Sequence, residues 1–366
     1  MKTTKLLLTL AAGGWLAATG AQAQVEINVS GAVAFRDTSY RAIRSLFLNP
    51  ANGSLISQNP ADAAGTPNQL KVTWSGRITN LFGSQIVTVR AYYNGAVAGI
   101  QDLTQDRNVD FLATATPGDT TLSVGKKADI AYSSVFQAST PYTSPELADT
   151  LFGVTPVFFV KSAGTPASIT NITVQQFRAL AANGALPAWF FTGNSNDTQT
   201  VYFIQRDPTA GQRTIIQREN GFTGNPISYQ WNSNTLSFVI DTVGRNSTQI
   251  RDQLNAATLP AISYLTGVDA VNVNGGANIL GHSGHKAFFG SYSSVSNNHN
   301  QVINGQYTQW GYEHLLSRTT ASGEVTSFLN ALKAAIDADL QTSAYSLPIS
   351  RVRVERSSEG GAVTPL

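Results

Sequence analysis

Apolar residues recur along this chain in two periods, and the strand-like and helix-like periods alternate from segment to segment. Residues 25–30 read as a strand. Residues 37–48 read as a helix in which Tyr40, Ile43 and Phe47 recur at spacings of three and four, giving one apolar face. Residues 49–68 are rich in Asn, Pro, Gly, Ala and Gln and predict a surface loop. Strands are predicted at 86–93, 109–113 and 129–134, with a short helix after Gly95 that includes Leu103. The apolar run 154–161 predicts a long strand that carries the chain into a second lobe. There, residues 173–182 form a helix burying Val174, Phe177 and Leu180, stopped by Asn183-Gly184. Further segments are a strand at 236–240, a helix at 248–254, a strand at 260–265 and a candidate return to the first lobe at 270–274. The last is a helix over 324–340, whose stripe of Val325, Phe328, Leu329, Leu332 and Ile336 is core. Such alternation argues for α/β sheets rather than a sandwich.

One passage joins this pattern to chemistry. In residues 200–220 an apolar run leads to Arg206, a short loop follows with Pro208 and Gly211, and a helix begins near Gln212. A strand-to-helix turn of this kind aims free backbone N–H groups, and here a guanidinium, at one spot, which is how proteins hold small anions.

Composition narrows the setting. The chain of 366 residues opens with Met1-Lys2-Thr3-Thr4-Lys5, a short apolar stretch and Ala21-Gln22-Ala23, which predicts a secretory signal peptide cleaved after Ala23. Gly13, Gly14, Thr19 and Gly20 interrupt the apolar run well short of the ~20 residues that span a membrane. There are no cysteines, so no lipid-anchored cysteine, disulfide or thiolate metal site is possible; the expected setting is periplasmic or extracellular. The remaining chain exceeds the ~250–300 residues that one core serves, so two lobes are expected. Lys and Arg are scattered and the net charge is +2, which argues against nucleic acid.

With these segments in order, the chain resembles the phosphate-binding proteins of ABC transporters, which have the type II periplasmic binding fold. Residues 31–35 match the family's first anion loop, 95–100 its small-residue turn, Val109-Asp110-Phe111 its Val-Asp-Phe-Gly strand end, and 129–134 its Asp-Ile-Gly-x-Ser-Ser stretch. Residues 206–213 resemble its Arg-x-x-x-Ser-Gly-Thr loop, 260–265 its Pro-Gly-Ala-Ile-Gly-Tyr segment, and 305–310 its Gly-x-Tyr-Pro run. The resemblance implies an α/β, two-lobed fold, each lobe a mixed sheet flanked by helices, with a ligand cleft between them. After the signal peptide at 1–23, it places the first lobe at 24–153, the second at 154–268 and a return segment of the first lobe at 269–366. It implies a monomeric, non-catalytic binding protein for a small molecule or oxyanion, with an ABC permease as partner and no membrane anchor.

Departures from that family bear on the ligand. The resemblance implies ligand contacts at Ala34, Phe35, Ala96, Arg206, Ala210, Gly211 and Gln212, with Arg36, Thr114 and Arg213 as added candidates. Yet Ala34 stands for a Thr, Ala96 and Val97 for serines, and Ala210 and Gln212 for a Ser and a Thr. Residues 112–115 lack the family's proton-accepting carboxylate. Each lost hydroxyl bond to an anion is worth about 1.5–3 kcal/mol. Thr114, Ser133 and Ser134 end strands and offer other hydroxyls. The alternative reading is a secreted surface or interaction protein with a vestigial ligand site.

Other chemistry is poorly supplied. His282 and His285 have metal-pair spacing with Asp269 as a conceivable third ligand, but no cysteine or H-E-x-x-H pattern accompanies them. No nucleophile elbow, Walker loop or dinucleotide fingerprint is present, so neither a cofactor nor an enzyme is expected. Trp189-Phe190-Phe191 and Tyr229-Gln230-Trp231 read as core, with Trp189 the aromatic best placed to meet an organic solute.

Overall fold

The computed structural model describes residues 24–51, 53–61, 69–287, 300–343 and 345–366; the signal peptide expected at 1–23 lies outside them. Strand Val25–Gly31 runs parallel to Val87–Tyr92 on one side and Ile130–Ser133 on the other. Ile27, Val29, Val87, Val89 and Ile130 are buried there, since both faces of this central sheet are covered. Helix Ala96–Thr104 packs on Ile130–Ser133, and helix Arg36–Leu48 packs on the long helix Gly323–Leu340. In that long helix all five residues of the predicted stripe are buried, and Ser322 caps its start by accepting from the Val325 N–H at 3.2 Å.

Beyond Val87–Tyr92 the sheet continues antiparallel through Lys71–Ile78 to Gly53–Asn59. Residues 53–59 fall within the segment expected to be loop, and they form a strand instead. Its register shifts between Leu55 and Ser57, which breaks the apolar alternation that would have revealed it. The strand expected near 109–113 also exists, as Asn108–Leu112, but it pairs with Ser123–Lys127 in a separate hairpin.

On the other side, Ile130–Ser133 pairs antiparallel with Trp310–Arg318, which pairs with the fifteen-residue strand Leu147–Lys161. That strand belongs to both halves of the molecule. Its first part faces Trp310–Arg318, and Val157–Lys161 face Ala261–Thr266. The second half continues with Thr200–Phe203, parallel to Ala261–Thr266, and ends at Ala185–Pro187. Helices Val174–Asn183 and Ser247–Ala256 flank it, each opened by a reciprocal capping box, Thr173 with Gln176 and Asn246 with Gln249. Residues 270–274, the expected return point, span the end of helix Gly267–Val271 and a turn; Ile279–His282 then pairs with Val160 and Phe159.

The apolar interior is continuous across the halves. One cluster runs from Ile27, Val89 and Ile100 to Phe159, Phe177 and Phe203. A second, under the other face of the second half, joins Phe158, Ile204, Ile250 and Leu254 to Trp310, Tyr312 and Val354. Trp231 belongs to this second core, whereas Trp189 is 46% exposed. Among the described residues no helix is long and apolar enough to cross a membrane.

Candidate binding site at the seam between the lobes

Two helix N-termini meet where the lobes touch. Gly31 and Gly95 both have φ of +115°, a conformation that favours glycine, and the Gly95 N–H donates to the Gly31 carbonyl at 2.8 Å. Asn94 fixes the turn, its Oδ1 accepting from the Gly31 N–H at 2.9 Å and its Nδ2 donating to Asp102 at 2.8 Å. Helix Ala96–Thr104 therefore starts from a glycine with no capping side chain. Helix Gly211–Glu219 starts from Ala210, which also gives no side-chain cap. The positive end of a helix dipole, with no side-chain cap, stands at each start.

The seam between them is tight. The Thr209 carbonyl, in the second lobe, accepts from the Val97 N–H in the first at 3.1 Å. A Cβ added to Gly211 would lie 2.3 Å from Ser134 Oγ and 2.9 Å from the Ala96 Cβ, so only glycine permits this approach. The Ser134 hydroxyl pressed against Gly211 is buried and has no hydrogen-bond partner among the described residues. A buried hydroxyl without a partner loses its hydration with nothing in return.

Arg206, at the head of the loop that ends in Gly211, is 1% exposed. Its Nε donates to the Arg245 carbonyl at 3.1 Å and its Nη2 lies 3.6 Å from Asp207, while Nη1 is buried without a partner among the described residues. Arg213 is held differently. With the Gln205 amide oxygen turned toward it, that oxygen accepts from Arg213 Nη1 at 2.8 Å and Nη2 at 3.3 Å. Tyr264 lies beside both guanidiniums; burial raises its phenol pKa and the two cations oppose that rise.

Of the residues singled out in the sequence, Ala96, Ala210 and Gly211 meet at the seam. Gln212, 2% exposed, instead sends its Nε2 to Thr266 Oγ1 at 3.1 Å. That bond leads to a small hollow where Ala34, Asp37 and Thr38 face Thr266, Gly267 and Asp269. Burial raises the Asp37 pKa above the usual carboxylate range, Arg36 and Arg41 pull it down, and Asp269 across the hollow pushes it up again. Phe35 is in the core, its ring 4.5 Å from that of Phe152. Arg36 is buried, its Nε 3.7 Å from Asp37, and its own backbone N–H is taken by the Val33 carbonyl. Thr114 keeps its hydroxyl within its own turn, accepting from the Thr116 N–H at 3.1 Å.

Thr209 was not legible as a site residue, because it acts through its backbone carbonyl and any residue type supplies one. Asp207, in the loop that leads to the seam, accepts from the Thr209 N–H at 3.0 Å and from its hydroxyl. His282 is unavailable to a metal. Its Nε2 pairs with Asn220 Oδ1 at 2.9 Å and its Nδ1 with Gln309 Nε2 at 3.3 Å, and Asp269 is paired with Arg251 at 3.3 Å. Among the described residues no group of three or more His, Asp or Glu side chains is arranged to hold a metal.

No known family profile matches the sequence, and no curated protein does. Solved structures do match. A Clostridium perfringens protein assigned as a phosphate ABC transporter substrate-binding protein, with bound phosphate, superimposes with a TM-score of 0.51 at 12% identity over 87% of this chain and 99% of its own. An ABC-type phosphate transport receptor from Vibrio cholerae gives 0.47 at 14% identity, covering 84% and 93%. An OxyR mutant from Porphyromonas gingivalis gives 0.42 at 8%, covering 87% and 95%. The chain thus has the mixed α/β, type II periplasmic binding protein-like fold.

Proposed function

We propose that this chain is an exported, non-catalytic solute-binding protein that takes a small, fully ionised oxyanion at the seam. The observation that carries the reading is the Ser134 hydroxyl, buried and unpartnered against the first residue of helix Gly211–Glu219. An anion there gains the Ser134 hydroxyl and the uncapped start of helix Gly211–Glu219, and the start of helix Ala96–Thr104 once the Thr209 carbonyl leaves it. Arg206, buried at the head of the same loop with one nitrogen unpartnered, adds positive charge to the lobe. A monohydrogen phosphate also needs an acceptor for its proton, and the carboxylate of the 207–210 loop, Asp207, is engaged by Thr209. Sulfate therefore suits the seam at least as well as phosphate. The export reading rests on the pattern of residues 1–23, and delivery to an ABC permease on the resemblance to transport receptors.

One observation favours the second reading, a surface protein with a vestigial cleft. The Thr209 carbonyl already occupies the start of helix Ala96–Thr104, so a ligand enters only when the lobes part or the 207–210 loop moves away. Thermal unfolding with sulfate, phosphate and other oxyanions separates the two. A bound oxyanion at 100 times its dissociation constant adds about 2.7 kcal/mol of stability, sulfate matches or exceeds phosphate, and Arg206→Ala removes the effect. No shift with any oxyanion hands the case to the vestigial reading.

A further inference from the structure

We infer that the C-terminal segment, residues 353–366, is a lock that ties the two lobes together and so governs opening of the seam. The segment forms a hairpin, Val354–Glu355 against Thr364–Pro365, moored by the Arg353 N–H to the Ile303 carbonyl at 3.0 Å. Gly305 lies so close beneath it that an added Cβ would sit 2.7 Å from Val363.

The tip of the hairpin grips both lobes within five residues. Toward the second lobe, the fully buried Arg356 guanidinium is ion-paired with Glu219 at the end of helix Gly211–Glu219. On the first-lobe side the same guanidinium stacks 3.8 Å from the centre of the Trp310 ring and donates to the Thr308 carbonyl at 3.3 Å. The Gly360 N–H adds a bond to Glu219 at 2.8 Å, and Gly360 touches the Arg218 backbone so closely that a side chain would not fit. Toward the first lobe, Glu359, 3% exposed, accepts from the Phe136 N–H at 3.0 Å, two residues beyond Ser134. Arg218 completes the bridge by donating to the Ser139 carbonyl at 3.2 Å.

The lock therefore holds the far end of the same helix whose first residue meets Ser134, and holds the same loop that carries Ser134. Parting the lobes at the seam pulls Glu359 from Phe136 or Arg356 from Glu219. Its role as a gate for an oxyanion rests on the functional reading above; its role as a tie between lobes does not.

The test is hydrogen exchange at the Val97 amide, whose acceptor, Thr209, lies in the other lobe, with the Ile204 amide, bonded to Ile262 within the second lobe, as reference. In the full chain, Glu359→Ala removes the bond to the loop that carries Ser134 while leaving Arg356 and Glu219 in place. It should accelerate exchange at Val97 at least threefold and leave Ile204 unchanged. A chain ending at Val352 should accelerate Val97 at least tenfold and enlarge the radius of gyration. Unchanged exchange at Val97 in the folded Glu359→Ala protein overturns the lock, whatever the shorter chain does. Titration of both proteins with sulfate keeps the two ideas apart. Faster Val97 exchange without any sulfate binding retains the lock and removes the binding reading, whereas sulfate binding with unchanged exchange does the reverse.

Discussion

The two ends of helix Gly211–Glu219 are held by opposite means. Its start is neutral and made of small groups, Gly211 against Ser134 and Ala96, with no side-chain cap and one hydroxyl left without a partner. Its finish is charged and closed, with Glu219 held by Arg356 and the Gly360 N–H, and Arg356 in turn stacked on the Trp310 face. A carboxylate at the negative end of a helix dipole is unfavourable by itself, so Glu219 requires the buried cation that meets it. The difference teaches where the molecule can change. The start offers donors and can be vacated at small expense, while the finish cannot be separated without stranding a charge.

The most damaging way to break this contrast is at the finish. Arg356→Met removes the cation and leaves Glu219, whose side chain is 5% exposed, as a buried carboxylate without a counter-charge. Loss of one partner of a buried pair costs about 3–5 kcal/mol, and burial already raises the Glu219 pKa against the pull of Arg356. Denaturant unfolding should show that loss at neutral pH. Adding Glu219→Gln to Arg356→Met should recover most of it, and failure to recover would mean that Arg356 matters through its packing on Trp310 rather than its charge.

A second break acts through pH, just past the same end of the helix. Asn220 follows Glu219 and accepts from His282, and burial drives the His282 pKa from 6.5 down to about 4. The folded state therefore holds this ring neutral where the unfolded chain would protonate it. Its contribution is fully present above pH 6.5 and is lost as pH falls from 6.5 toward 4, in all about 3 kcal/mol. Raised carboxylates such as Asp37 and Asp102 have the opposite pH dependence, so the comparison to make is with His282→Gln. The difference in stability between the two proteins should shrink steadily over that window. A difference that stays constant would show that His282 titrates normally.

Much of the frame was legible because its signals are local. The helices at 36–48, 247–256 and 323–340 announce themselves by apolar stripes and caps, and the structure agrees to within a few residues. The strand Gly53–Asn59 escaped because a bulge puts Leu55 and Ile56 side by side in a polar setting. Strand Leu147–Lys161 was seen only in its apolar half, since its first residues include Asp149 and Thr150. The anion loop at 206–213 was recognised as a strand-to-helix turn, but its closure was not. Thr209 reaches Val97 by a carbonyl, and Ser134 reaches Gly211 across 77 positions of sequence. The lock was illegible for a related reason. Arg356 and Glu359 lie beyond the last predicted helix, where no periodic pattern marks them, and only tertiary structure shows them buried.

The smallest effect is the one that most sharpens the contrast, because its sign is informative. Gly211 is the first residue of its helix and does not have a positive φ, so its backbone accepts alanine. In an open helix start, Gly→Ala would stabilise by up to about 1 kcal/mol through helix propensity. At a closed seam the new Cβ meets Ser134 Oγ at 2.3 Å and the Ala96 Cβ at 2.9 Å. The hydroxyl can rotate aside but the Ala96 methyl cannot, and overpacking of this kind costs about 1–3 kcal/mol. Gly211→Ala should therefore lower the melting temperature, and Ser134→Ala in the same chain should return part of the loss by removing the nearer clash. A rise on Gly211→Ala alone would mean that the lobes stand apart in solution and that the start of this helix is already open to a ligand.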